Sequence, residues 1–142
     1  MSTRRTVLAG VLAAAFVAIV APALAQSTKR IQLSQLEVMF SNMRANTKWN
    51  VDGPLLWGYF FFDPSDSKLK QAAAELESAG YHLVSISPVP GKQRFRLHVE
   101  KIEVHTPSSL NQRNIELYAF AEKHSIASYD GMDVGPAPAV SK

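Results

Sequence analysis

Leu33, Leu36, Met39, Phe40 and Met43 recur every three or four residues, which predicts an amphipathic helix over residues 33 to 45 with its apolar stripe toward a core. Turn formers from Asn50 to Pro54 end that pattern. Leu55 to Phe62 reads Leu-Leu-Trp-Gly-Tyr-Phe-Phe-Phe, a run too short for a buried helix and bulky on both faces, so it predicts a central strand. Asp63-Pro64-Ser65-Asp66 marks a helix start, with Asp63 placed to cap and Pro64 at the first helical position. Leu69, Ala72, Ala73 and Leu76 line one face of that helix until Gly80 ends it. A strand from Tyr81 to Ser87, a turn from Pro88 to Lys92 and a strand from Arg94 to His105 follow. In the last of these, Phe95, Leu97 and Val99 alternate with Arg94, Arg96 and His98, but Ile102 and Val104 carry the other parity. That change predicts a β-bulge near Glu100-Lys101 and puts Leu97 and Val104 on one face. Thr106-Pro107-Ser108-Ser109 starts a second helix of the same kind, over 108 to 124, with Leu110, Leu117, Tyr118 and Ala121 as its stripe. Ile126 to Asp130 reads as a final strand, and residues 136 to 142 as a Pro/Ala tail with nothing to pack.

Without the first helix the order is β-α-β-β-α-β, the order of the ferredoxin-like split βαβ motif. The predicted fold class is therefore an α+β, ferredoxin-like sandwich with an extra N-terminal helix. Right-handed crossovers give an antiparallel strand order 4-1-3-2 with both crossover helices on one face. In that arrangement one rim of the sheet gathers Leu56, Trp57, Tyr81, His105, Tyr129 and Asp130.

The first 25 residues read differently. Met1 to Arg5 is positively charged, Val7 to Ala21 is apolar, and Ala23-Leu24-Ala25 has the small-x-small form of a signal-peptidase site. Cleavage after Ala25 would leave Gln26 first, and the apolar run falls short of the ~20 residues that span a bilayer. The chain thus divides into a signal peptide (1–25), an N-terminal helix and linker (26–54), a main domain (55–135) and a tail (136–142). The expected location is periplasmic or secreted, with no stable membrane anchor after cleavage. Thr3-Arg4-Arg5-Thr6 also resembles a twin-arginine export signal. Export changes how the charge reads: of 15 basic residues two lie in the leader, so 13 basic face 12 acidic residues in the mature chain. The balance of about +1 does not point to nucleic acid or an anionic membrane surface. The chain has no cysteine, so disulfides, thiolate zinc sites and thiol nucleophiles are excluded and stability rests on packing.

Three segments carry a family resemblance: Leu69-Lys70-Gln71-Ala72-Ala73-Ala74-Glu75-Leu76 running to Gly80-Tyr81, Ala121-Glu122-Lys123, and Tyr129-Asp130-Gly131. Over about residues 55 to 135 the chain resembles the regulator of ribonuclease E activity B family. The resemblance implies an α+β sandwich that acts by binding protein, without catalytic residues. The family's named member binds and inhibits an RNA-degrading endonuclease. That member is strongly acidic where this mature chain is near neutral, and Met132 stands where the family often has tryptophan. Ribonuclease E is also cytoplasmic, so an exported chain implies another partner.

The remaining chemistry is sparse. His82, His98, His105 and His124 form no His-x-x-x-His pair, and no metal site or cofactor is predicted. His105 and Asp130 would lie two strands apart at the rim, near ~10 Å, too far for a direct acid-base pair. Asp130 and Asp133 flank Gly131 but lack the ligand pattern of a calcium loop. Arg94 and Arg96 sit on a strand without the small glycines of an RNA-binding signature. Two classes remain. The preferred one is a non-catalytic module that binds an unidentified envelope protein through Tyr129, Asp130, Asp133, His105 and Tyr81. The alternative is a small periplasmic enzyme or ligand-binding protein using the His105/Tyr129/Asp130 rim. A plainer role for the last segment is a turn, with Gly131 at positive φ, Tyr129 packed and Asp130 bonding to local amides.

Overall fold

A computed structural model describes residues 30–138. The leader expected over 1–25 and the last residues of the expected tail lie outside them. From Ile31 onward the chain forms one compact unit. Its elements are α1 (Leu33–Asn46), β1 (Leu55–Asp63), α2 (Asp66–Ser78), β2 (His82–Pro88), β3 (Phe95–Glu103), α3 (Pro107–Lys123) and β4 (Ser128–Pro136). The four strands make one antiparallel sheet in the order β2-β3-β1-β4. Among the described residues no helix is long and apolar enough to cross a membrane.

Alternation along β1 decides where the core lies. Leu55, Trp57, Tyr59, Phe61 and Asp63 are all but fully buried, while Leu56, Phe60 and Phe62 are half-buried. The helices cover the first set: Phe40 of α1 stacks on Trp57 with centroids 5.9 Å apart, and Leu69, Ala72, Leu76, Leu110 and Leu117 join the same cluster. Burying each large side chain contributes about 1.5–3 kcal/mol. Trp57, expected at the rim, is therefore a core residue.

The helix boundaries come from local chemistry. Ser65, not Asp63, caps α2, its hydroxyl accepting from Lys68 N at 3.2 Å. Asp63 stays on β1, where its carboxylate accepts from Ser65 N and Ala127 N, both at 2.8 Å. Thr106 caps α3 with Pro107 in the first turn, as its sequence suggests. Both helices end in the same bonded turn. Gly80 N donates to Glu77 O and Tyr81 N to Leu76 O; likewise Ser125 N donates to Glu122 O and Ile126 N to Ala121 O. The left-handed position of that turn is Gly80 in α2 but Ser125, at φ 55°, in α3.

Two strand expectations are corrected. β3 pairs with β1 without interruption from Phe95 to Glu103, so there is no bulge near Glu100-Lys101. Ile102 is exposed, as is Val104 beyond the strand end. The parity misleads because the inward positions at this end, Lys101 and Glu103, are polar and find partners in the helix layer, Lys101 at Ala79 O beyond α2 and Glu103 at Arg113 of α3. The bulges lie elsewhere, in β2 between Leu83 and Ser85 and in β4 opposite Phe60. β4 also does not end at Asp130. It absorbs Asp130-Gly131 as a bulge, with Gly131 at φ 101°, and continues to Pro136.

Candidate functional site

The longer β4 separates the residues that the sequence places at one rim. His105 follows Glu103, which pairs with Leu55, whereas Tyr129 pairs with Phe61. Six strand residues, roughly 20 Å, separate these ends of β1. The His105/Tyr129/Asp130 rim does not assemble.

Tyr129 is a core residue. Its ring lies 5.0 Å from both Phe61 and Tyr118, and its hydroxyl donates to the buried Asn114 Oδ1 at 2.6 Å. Burial pushes its phenol well above the usual tyrosine range.

His105 and Tyr81 belong to a half-buried charge cluster at the start of α3. Arg113 donates through both terminal nitrogens to the Glu103 carboxylate, at 2.5 and 2.7 Å. Tyr59 Oη accepts from Arg113 at 3.2 Å. His105 is bonded to Glu103 at 3.1 Å through Nε2 and to Ser109 Oγ at 2.8 Å through Nδ1. A carboxylate only accepts, so Nε2 carries the proton and the neutral ring takes the Ser109 proton at Nδ1. Burial lowers the His105 pKa against the opposing pull of Glu103. For Glu103, burial raises the carboxyl, but hydrogen bonds and charge from Arg113 outweigh it and leave the pKa below its usual value. Tyr81 packs edge-on against Tyr59, with Lys101 Nζ 4.5 Å from its ring centroid. The Glu103 carboxylate thus ties Arg113 of α3 to His105, and the cluster serves as a bonded joint between β3 and α3.

Asp130 and Asp133 remain exposed. Asp130 makes no side-chain hydrogen bond or ion pair among the described residues, so it is not a turn-amide acceptor. Asp133 pairs across from Gly58, on the face of the sheet opposite the helices. Gly58 is what lets Asp133 and His98 converge: a Cβ there would lie 2.4 Å from Asp133 Oδ1 and 2.8 Å from His98 Nε2. His98 stacks on Phe60 at 4.4 Å. Burial lowers the His98 pKa although Asp133 pulls it upward.

This open face continues toward the β2–β3 hairpin. The Arg94 guanidinium lies 4.4 Å from the Phe62 centroid and that of Arg96 5.5 Å from Phe60. The face is thus aromatic at its centre, acidic toward Glu100 and Asp133, and basic toward Arg94 and Arg96. Gly58 and His98 were not among the expected site residues; Gly58 interrupting an aromatic strand was the signal for them. Among the described residues no group of three His, Asp or Glu is arranged to hold a metal.

A search of the curated proteins gives no match. The family model for Regulator of ribonuclease activity B matches residues 34–134, more than half of the chain and including all of α1 but Leu33.

Proposed function

The chain belongs to the regulator of ribonuclease activity B family, and from that premise we propose that it is a non-catalytic regulator that binds another protein through the open face of its sheet. We read the fold as ferredoxin-like with an added N-terminal helix, and the leader as exporting the mature chain from Gln26. The family description names ribonuclease activity; for an exported chain the partner is an envelope protein. The observation that carries this reading is the open face itself. Phe60, Phe62, His98 and Asp133 lie where no helix covers them, and Asp130 is exposed without a structural bond. Half-buried aromatic and exposed polar groups on a sheet face recognise a surface without performing chemistry.

The test is capture of an envelope protein by immobilised mature chain. Wild type is expected to retain a stoichiometric protein, and Asp133→Ala to retain less of it with an unchanged melting temperature. Equal retention by both forms rejects the role of this face. N-terminal mass analysis of the cellular protein is expected to find Gln26 or a near neighbour, and an intact Met1 on soluble protein defeats export.

A further inference from the structure

The basic end of the open face holds a pocket of about 310 Å³ lined by Phe62, Ser87, Pro90, Arg94 and Arg96. We propose that this pocket binds carboxylate side chains from an acidic segment of a protein partner. Charge is the first argument. Arg44, Lys68, Lys70, Arg113 and Lys123 each lie within ion-pair distance of a carboxylate. Lys92, Arg94 and Arg96, all on the β2–β3 hairpin, have no carboxylate partner among the described residues.

Geometry is the second. Arg94 lies over Phe62 and Arg96 over Phe60, an arrangement that holds a guanidinium by its face and leaves its edge donors free for a planar acceptor. Arg94 Nε is buried without a hydrogen-bond partner, so the fold itself leaves this guanidinium unpaired beside the pocket. The hairpin that carries both arginines is fixed by Val89 N donating to Arg94 O at 3.0 Å, so the donors are held in place before a ligand arrives.

The same contacts select a peptide over a nucleic acid. Single strands bind by stacking bases on free aromatic faces along a basic groove. Here His98 and Arg96 already lie against Phe60 and Arg94 against Phe62. Glu100 and Asp133 further along the face would repel a continuing phosphate backbone.

This inference rests on the protein-binding reading only in taking the ligand to be a protein segment. The test is an NMR titration of the mature chain with a short glutamate-rich peptide, its glutamine counterpart and a single-stranded oligonucleotide. The glutamate peptide is expected to shift the Arg94 and Arg96 side-chain Nε–H signals and the backbone signals from Ser87 to Arg96, more weakly as salt rises. Arg96→Gln, at an exposed position, is expected to bind it roughly tenfold more weakly. No localised shifts, equal shifts with the glutamine peptide, equal binding by Arg96→Gln, or tighter binding of the oligonucleotide each overturn the proposal. Its failure leaves Asp133-dependent capture standing, and loss of that capture leaves a peptide-binding pocket standing.

Discussion

Ser125 occupies at the end of α3 the left-handed position that Gly80 occupies at the end of α2. A side chain there is strained, so Ser125→Gly is expected to stabilise the protein by about 0.5–1 kcal/mol, read as a higher melting temperature. A lower melting temperature would show that the strain is already relieved. The Glu103–Arg113 pair is a second point of leverage. Arg113→Met leaves a half-buried carboxylate without its main partner and is expected to cost about 3 kcal/mol by chemical denaturation. Its pH dependence has a definite sign. Folded Glu103 binds a proton less readily than the unfolded chain, so its contribution is complete above the ordinary value of 4.5 and is lost as pH falls below it. His105 and His98 are also lowered, from 6.5, so their contributions are lost as pH falls through that region. Stability is therefore expected to decline on acidification in two windows, with His105→Gln flattening the upper one; an unchanged profile would contradict that assignment. Asp130→Ala, with no bond to lose, is expected to change stability by less than about 0.5 kcal/mol. The Glu103 cluster was not legible in the sequence because it depends on the register of β3 beneath α3. Lone glutamate and arginine codes carry no sign of meeting ten positions apart.

At the scale of elements, the three described helices and four strands were legible because periodicity and caps agree. Leu36, Phe40 and Met43 face the core of α1, and Thr106 with Pro107 opens α3. The errors came where polar residues occupy inward positions or where a strand carries an irregularity. Lys101 and Glu103 disguised the true phase of β3, and Gly131 looked like the end of β4 when it is a bulge within it. That bulge can be tested. Gly131 has φ 101°, and an added Cβ would lie 2.9 Å from Ile31 Cδ1. Gly131→Ala is therefore expected to cost about 1–2 kcal/mol. Gly135 in the same strand meets nothing within 4 Å of an added Cβ, and Gly135→Ala should stay within about 0.5 kcal/mol of wild type. Equal losses from both would mean that general strand chemistry, not the bulge, sets the cost.

For the whole molecule, the sheet divides labour between two faces. One carries Trp57, Tyr59, Phe61, Leu97 and Val99 under the helices; the other leaves Phe60, Phe62, His98, Arg94, Arg96 and Asp133 uncovered. The bulky residues on both faces of β1 announced a central strand but did not announce that one face stays open. In one-letter order, an aromatic pair under arginines looks the same as one under a helix. The family resemblance was legible from Gly80-Tyr81 and Tyr129-Asp130-Gly131, yet Tyr129 is packed, so motif identity did not reveal which side chains face a partner. Hydroxyl-radical footprinting of the captured complex against the free chain tests the central claim most directly. Protection is predicted at Phe60, Phe62 and His98, with Val38 and Ile115 on the outer helix surfaces labelled equally in both states. Protection confined to Val38 and Ile115, with the open sheet face labelled as in the free chain, would contradict it.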